Sequence, residues 1–529
     1  MKFDAIMKYK ITLLIIFLFI LYGHIGDFFD PIRPIHEWRK TDSFSIALNY
    51  MKGNSFAHPE TQFISAYNNR AAAGEFPIVY YTIGKLWSIF GQHEWIGKLL
   101  TYITFYISLF LFSEVLLHYF RSEKKTILFT AAILSSPVLL FYSNTILPNI
   151  YSFSFLLISA YLVYKYLLQP RWYQAILLII FLSLAILIKI TALIAVLTFA
   201  GAAIIQYGFI QREIFLKHRR TALLFAFALM IAMLFTWLWY TYAIRYNALH
   251  KSDLFSTVIR PIWEVGSNDI NRIWKCIWKY QFNLIFHLSV LLPSIGWIMY
   301  SLIRGKIKGF LLYAIIIGFI GVFTYIILWF WALEMHDYYL IEILFFPLLI
   351  LFIIFKEIDL HSKKSYWLKS ATVILFSIVT FTHALAFSQT TRGKNNIITT
   401  YNILLSTFVQ GNWWFYNDYY NTHLGKLQRH VDDVRKCISP ADTVLCINDL
   451  SPNIQLYTID RLGITRMGFN QEMTDSSNIA ELIERGADKI LRVGEECIDT
   501  SAEFFYTDTL FYQDGIYVFD LSRHKKMEL

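Results

Sequence analysis

The sequence predicts a polytopic α-helical membrane protein of about eleven transmembrane helices, followed by a small extracytoplasmic α/β domain. Three observations carry that expectation. Of 529 residues, 56% are apolar, 18% are aromatic and only 16% are charged. Apolar runs of about 18 or more residues, enough to cross ~30 Å of hydrocarbon, recur from residue 11 to residue 388. Beyond that point they stop, and an alternation of helical and strand patterns begins. The net charge of +9 does not signal nucleic acid, because the Lys and Arg residues lie in short clusters between apolar runs, as in cytoplasmic loops.

The first segment, MKFDAIMKYKITLLIIFLFILYGHIG, has the basic start and short apolar core of a signal peptide. It lacks an A-x-A-like cleavage site, so a retained anchor is expected. Spans are expected at about 9–23, 97–119, 126–143, 150–168, 173–188, 191–208, 221–242, 285–303, 309–331, 339–355 and 370–388. The stretch 173–208 is too long for one crossing, and Lys189 divides it into two. Alternate short loops are basic: Arg121, Lys124 and Lys125; Lys165 and Arg171; Arg212, Lys217, Arg219 and Arg220; Arg304, Lys306 and Lys308; Lys356, Lys363, Lys364 and Lys369. The opposite loops, SNTILPNI and ALEMHDYY, hold no Lys or Arg. The positive-inside rule then puts the N-terminus in the cytoplasm. With an odd number of spans, segments 24–96, 243–284 and 389–529 lie outside, with 1–388 as the membrane domain.

In the tail, VDDVRKCISPADTVLCIND reads as helix then strand, NIAELIERGADKILRV as helix, glycine stop and strand, and GIYVFDL as a further strand. The aromatic, Asn-rich stretch 395–422 joins it to the last span. It has no nucleotide-binding glycine pattern and is expected to cap or recruit rather than catalyse. The four cysteines match neither zinc nor CxxC spacing. In an oxidising compartment Cys437 would pair with Cys446 or Cys497; otherwise they are free thiols.

The first outer loop is the densest polar region. In HEWRKTDSFSIALNYMKGNSFAHP, Phe44, Ala47, Leu48 and Met51 mark one apolar face of an amphipathic helix in the interface plane. Thr41 stands where an N-cap would, and Asp42 falls in the first turn, where it would complement the helix dipole. Glu37 fits no cap; a salt bridge to Arg39 or Arg33 is its structural alternative. Downstream, GEFPIVYYTIGKLWSIFG sets Glu75 before the turn-fixing Pro77. Tyr80, Tyr81, Trp87 and Phe90 suit a headgroup-level aromatic belt. A carboxylate above that belt can meet a substrate whose lipid tail stays in the bilayer.

These motifs, taken in order, resemble the C-type glycosyltransferases (GT-C), the membrane superfamily of protein O-mannosyltransferases and lipid A aminoarabinose transferases. EWRKTDS resembles the W-R-Q-x-D-T variant of bacterial members, and EFPIVYY their E-x-P-x-x-Y-x motif. SLAILIKITALI resembles their lysine-bearing turn between spans, and HDYYLIEILFFPLLI the opening of a late span. The resemblance implies a polyprenyl-phosphate sugar donor and a glycan, lipid or protein acceptor attacking on the outer face of a bacterial inner membrane, with no nucleic acid involved. It implies a carboxylate base, Asp42 or Glu37, with Glu75 as a second carboxylate positioning the acceptor or a metal. Arg39, Lys40 and Lys189 are the implied phosphate cations; Lys189 also has a plain reading as a snorkelling residue. Tyr80, Tyr81, Asn149, His336, Asp337 and Tyr338 are the implied substrate contacts. Glu75 and His336 would help hold any divalent metal ion, assembled across loops because no local metal motif exists. Where many relatives carry an acid, NTILPNIYSF has Asn149, which can hydrogen-bond a sugar but cannot act as a base.

Two rival classes are weighed on charge placement. A transporter or flippase of lipid-linked glycans would carry ionisable groups inside its spans; here only Lys189 and Glu342 fall there. A polysaccharide polymerase or ligase would place its large polar loop late in the chain, not after the first span.

Overall fold

The computed structural model describes residues 2–30, 32, 36–252, 254–255, 259–357, 366–391, 423–467, 476–494 and 505–524. The expected linker 395–422, Arg33 and Cys497 lie outside them. Two compact units result. One comprises Met1–Phe29, Lys98–Trp239 and Thr257–Trp414; the other comprises Asp30–Gly97, Tyr240–Ser256 and Phe415–Leu529.

Six helices among the described residues are long and apolar enough to cross a membrane: Glu94–Phe120, Pro148–Leu168, Ile190–Ile210, Arg219–Leu249, Phe310–Leu328 and Val373–Thr390. Two bent pairs raise the number to eight, Ser267–Ile285 with Leu288–Ile303 and Asp337–Ile343 with Phe345–Glu357, angled by 91° and 50°. The chain is an integral membrane protein. Of the remaining expected spans, the first is the continuous 20-residue helix Lys2–Leu21, and the other two are shorter or broken for local reasons. Ser136 precedes Pro137, which separates helix Glu123–Leu134 from Pro137–Tyr142. Helix Trp172–Ile188 is 17 residues long and stops at an extended Lys189 (φ −142°, ψ 107°) before the tight turn Ile190–Ala192. That is the break Lys189 was expected to make. Leu178, Leu182 and Ile186 of this helix pack on Ile158 and Leu162, and on Ala228 and Ala232.

The second unit joins early and late sequence. Helix Glu37–Met51 crosses helix Ile78–Phe90 at Gly84, where a Cβ would stand 2.4 Å from Ala47 O and 2.7 Å from Tyr50 Cβ. Only a glycine lets the backbones approach this far. The sheet has strands β1 (Thr443–Cys446), β2 (Leu462–Thr465), β3 (Lys489–Val493), β4 (Thr509–Gln513) and β5 (Ile516–Asp520), in the order β2-β1-β3-β5-β4. β1 runs parallel to β2 and β3, while β5 is antiparallel to β3 and β4. Alternation sorts the side chains. Leu445, Ile490 and Phe519 enter one core with Ile479 and Leu482, whereas Val444, Leu491 and Val518 enter the other with Val434 and Leu456. The first loop extends this sheet: Phe63 bridges Gly463 in parallel, and Ile64 N–H donates to Gly463 O at 2.7 Å. The β2 edge is thereby covered. Cys437 and Cys446 are both free, as is Cys276.

Candidate functional site

Helix Glu37–Met51 begins four residues before the expected N-cap. His36, at φ 52°, starts it, and Thr41 lies inside, donating to the carbonyls of Glu37 and Trp38. Its residues Lys40 to Tyr50 are all buried, where the apolar pattern predicted one exposed face. Ser43 donates back to Arg39 O and Asn49 to Ser45 O, so these buried side chains bond the helix's own carbonyls.

Arg39 and Asp42, three apart, share a helix face. Arg39 Nη2 donates to Glu75 Oε2 at 2.7 Å and to Tyr80 Oη at 3.0 Å, and its guanidinium lies 5.2 Å from the Phe255 ring centroid. Pro77 is the N-cap of helix Ile78–Phe90 and fixes the turn that presents Glu75. Glu37 therefore does not take Arg39 as its salt-bridge partner. Tyr81 faces other company, packing on Tyr50 and Phe56 with Lys85 over its ring.

Asp42 is buried, and its Oδ1 accepts from Asn453 Nδ2 at 2.7 Å. Its Oδ2 makes no hydrogen bond among the described residues. Burial raises its pKa, the Asn453 hydrogen bond and the Arg39 charge lower it, and the Asp449 and Glu75 charges raise it, to about 7. Glu37 is raised further, to about 9: burial dominates, Lys40 opposes it and Asp449 adds to it. Asp449 itself is raised by burial and restrained by Ser451 and the Gln455 and Ser451 N–H groups, to about 6. Burial thus favours the protonated form of Glu37 more strongly than that of Asp42.

Asn453, Asp449, Ser45 and Gln62 were not singled out from the sequence. Asn453 and Asp449 sit in NDLSPNIQ, where Asp, Ser and Asn at alternate positions precede an apolar helix; that capping pattern was the available signal. Ser45 and Gln62 give none.

The membrane unit holds a second polar group. Asn149 Nδ2 donates to Glu342 Oε1 at 2.8 Å and reaches Tyr338 O at 3.5 Å, and Thr191 Oγ1 donates to Glu342 Oε2 at 2.8 Å. Lys189 Nζ lies 5.6 Å from the Tyr339 ring centroid. Tyr142 donates to the buried Asp337, and His336 packs against Tyr338 and Tyr339. Glu342 was the partner the sequence reading passed over. Asp337 is thus held by a tyrosine. Among the described residues, no three or more His, Cys, Asp or Glu side chains group as a metal ion would require.

No protein-family model matches the chain, and no curated protein does. Solved structures do. ArnT from Cupriavidus metallidurans in the apo state matches with a TM-score of 0.58 at 11% identity, over 96% of this chain and 97% of that one. ArnT of the same organism bound to undecaprenyl phosphate matches at 0.52 and 12% identity, over the same shares. The apo oligosaccharyltransferase of Archaeoglobus fulgidus matches at 0.50 and 12%, over 92% of this chain and 69% of that one. The chain has the GT-C fold that EWRKTDS and EFPIVYY suggested.

Proposed function

We propose that the protein is a glycosyltransferase that moves a sugar from a polyprenyl-phosphate-linked donor to an acceptor hydroxyl. The reaction takes place on the non-cytoplasmic face of a bacterial plasma membrane, where segments 24–96 and 389–529 lie. The observation that carries this reading is Asp42: a buried carboxylate poised at about 7, beside Arg39, on a chain folded like ArnT. A general base works best with a pKa near the operating pH. Glu37, pushed higher by its burial to about 9, fits that role less well.

In this mechanism Asp42 Oδ2 takes the proton of the acceptor hydroxyl. The acceptor oxygen forms a bond to the anomeric carbon as the bond from that carbon to the phosphate oxygen breaks, and the electron pair leaves with the phosphate. Arg39, oriented by Glu75 and Tyr80, meets the charge developing on that phosphate, with Lys40 as a second cation on the same helix. The lipid tail suits a membrane protein, and one of the matching ArnT structures holds undecaprenyl phosphate.

Mass spectrometry of envelope glycans and glycolipids, with and without the gene, tests the reading. One saccharide should disappear without the protein and return with the wild-type chain but not with Asp42→Asn at equal membrane abundance. An unchanged glycan profile, or full restoration by Asp42→Asn, overturns it.

A further inference from the structure

We infer that Asn453, in the α/β domain, is a positioning residue for Asp42: its amide bridges Ser45 and Asp42, holds one carboxylate oxygen and leaves the other open for the acceptor's proton. The inference rests on Asp42 as the base and adds what aims it.

Asn453 stands at the N-cap of helix Ile454–Ile459, where an asparagine ordinarily bonds its own helix's N–H groups. It makes no such bond here. Its neighbours cap in its place: Ser451 Oγ accepts from Ile454 N–H at 2.9 Å, and Asp449 Oδ2 accepts from Gln455 N–H at 2.8 Å. Asp449 Oδ1 in turn accepts from the Ser451 N–H and hydroxyl, at 2.9 and 2.6 Å. The fully buried Asn453 side chain is released to reach the acidic helix. There its Oδ1 accepts from Ser45 Oγ at 3.0 Å while its Nδ2 donates to Asp42.

Ser45 fixes which way that amide points. Its oxygen accepts from Gln62 N–H at 2.9 Å and contacts the Gln62 side chain. A hydroxyl has one proton to give. With the Gln62 amide turned so that Nε2, otherwise without a partner among the described residues, donates to Ser45, that proton goes to Asn453 Oδ1. Asn453 then cannot flip without setting its oxygen against the Asp42 carboxylate. The charges around Asp42 are Arg39, with Glu37 and Lys40 on its own helix, Glu75 from the turn before Pro77, and Asp449 from the α/β domain. Among these, Asn453 supplies the one direct hydrogen bond to the carboxylate.

The test is infrared difference titration of the full-length protein in lipid nanodiscs, taking as the Asp42 signal the carboxyl band that Asp42→Asn removes. Its midpoint should lie near 7. Asn453→Leu should move it upward by about one pH unit or more, because a hydrogen bond to the ionised form is lost. Ser45→Ala should move it the same way by less, since the amide is then free to turn. The acid limb of kcat should follow the band, with KM for the donor unchanged. If Asn453→Leu fails to fold, Ser45→Ala decides. An unmoved band in a folded variant overturns the inference and leaves Asp42 as the base. An active Asp42→Asn sinks the base assignment without touching the band shift, so the two failures are distinguishable.

Discussion

Two buried carboxylates, one in each unit, are held in opposite ways. Glu342 has a donor on each oxygen, Asn149 on one and Thr191 on the other. Asp42 has one donor, Asn453 on Oδ1, and keeps Oδ2 open. A carboxylate bonded on both sides ties three helical segments together. One bonded on a single side can accept a proton in the course of a reaction. On the proposed reading the difference separates a strut from a base, although both residues are acidic and buried.

The contrast can be broken by substitution, and the largest effect belongs to Asp42. Asp42→Asn should lower the transfer rate by about 10²-fold or more, the usual scale for losing a general base, measured as kcat at equal membrane abundance. Glu75→Gln should cost about as much, because Arg39 loses its charged partner and with it the orientation of the phosphate cation. Rates near wild type in both variants would abolish the distinction. Glu342→Gln should act on stability instead: an amide N–H then faces a donor, a loss of about 1–3 kcal/mol. Thermal unfolding in detergent should occur at lower temperature, while the acid limb of kcat stays in place; a displaced limb would show that Glu342 titrates in the reaction.

The smallest effect is at Glu37. Its pKa rises from 4.5 in the ordinary case to about 9 in the folded chain. Between those values the folded chain binds a proton that the unfolded chain has released, so Glu37 costs stability increasingly as pH rises and adds no further loss above about 9. Glu37→Gln should therefore retain activity and gain unfolding temperature relative to wild type as the pH is raised from 5 towards 9. A loss of activity matching that of Asp42→Asn would move the base to position 37.

Much of this was legible in the sequence, and the misses have a common physical cause. Apolar periodicity placed the long helices, the break at Lys189, and strands β1, β3 and β5. It did not place β2, four residues containing Gly463, or β4, an edge strand with an exposed and unalternating pattern. The loop carboxylates Asp42 and Glu75 were legible because charge next to an apolar anchor calls for explanation. Their partners were not. Asn453 is 411 positions from Asp42, and Glu342 is 193 from Asn149. Local pattern cannot pair residues at such separations. Thr41 was misread for a related reason: a threonine before an apolar stripe looks like a cap, but the helix starts at Glu37 and Thr41 is buried inside it.

The Phe63–Gly463 pairing sets a timetable for synthesis. The loop strand leaves the ribosome about 400 residues before the sheet edge it must join, roughly 20–80 s at ordinary elongation rates of about 5–20 residues per second. During that interval a helix lined with Ser43, Ser45 and Asn49 has no cover, and a backbone edge waits unmatched. The newborn chain is most exposed to proteases and holdases then, and the arrival of the sheet edge at Gly463 ends that vulnerability.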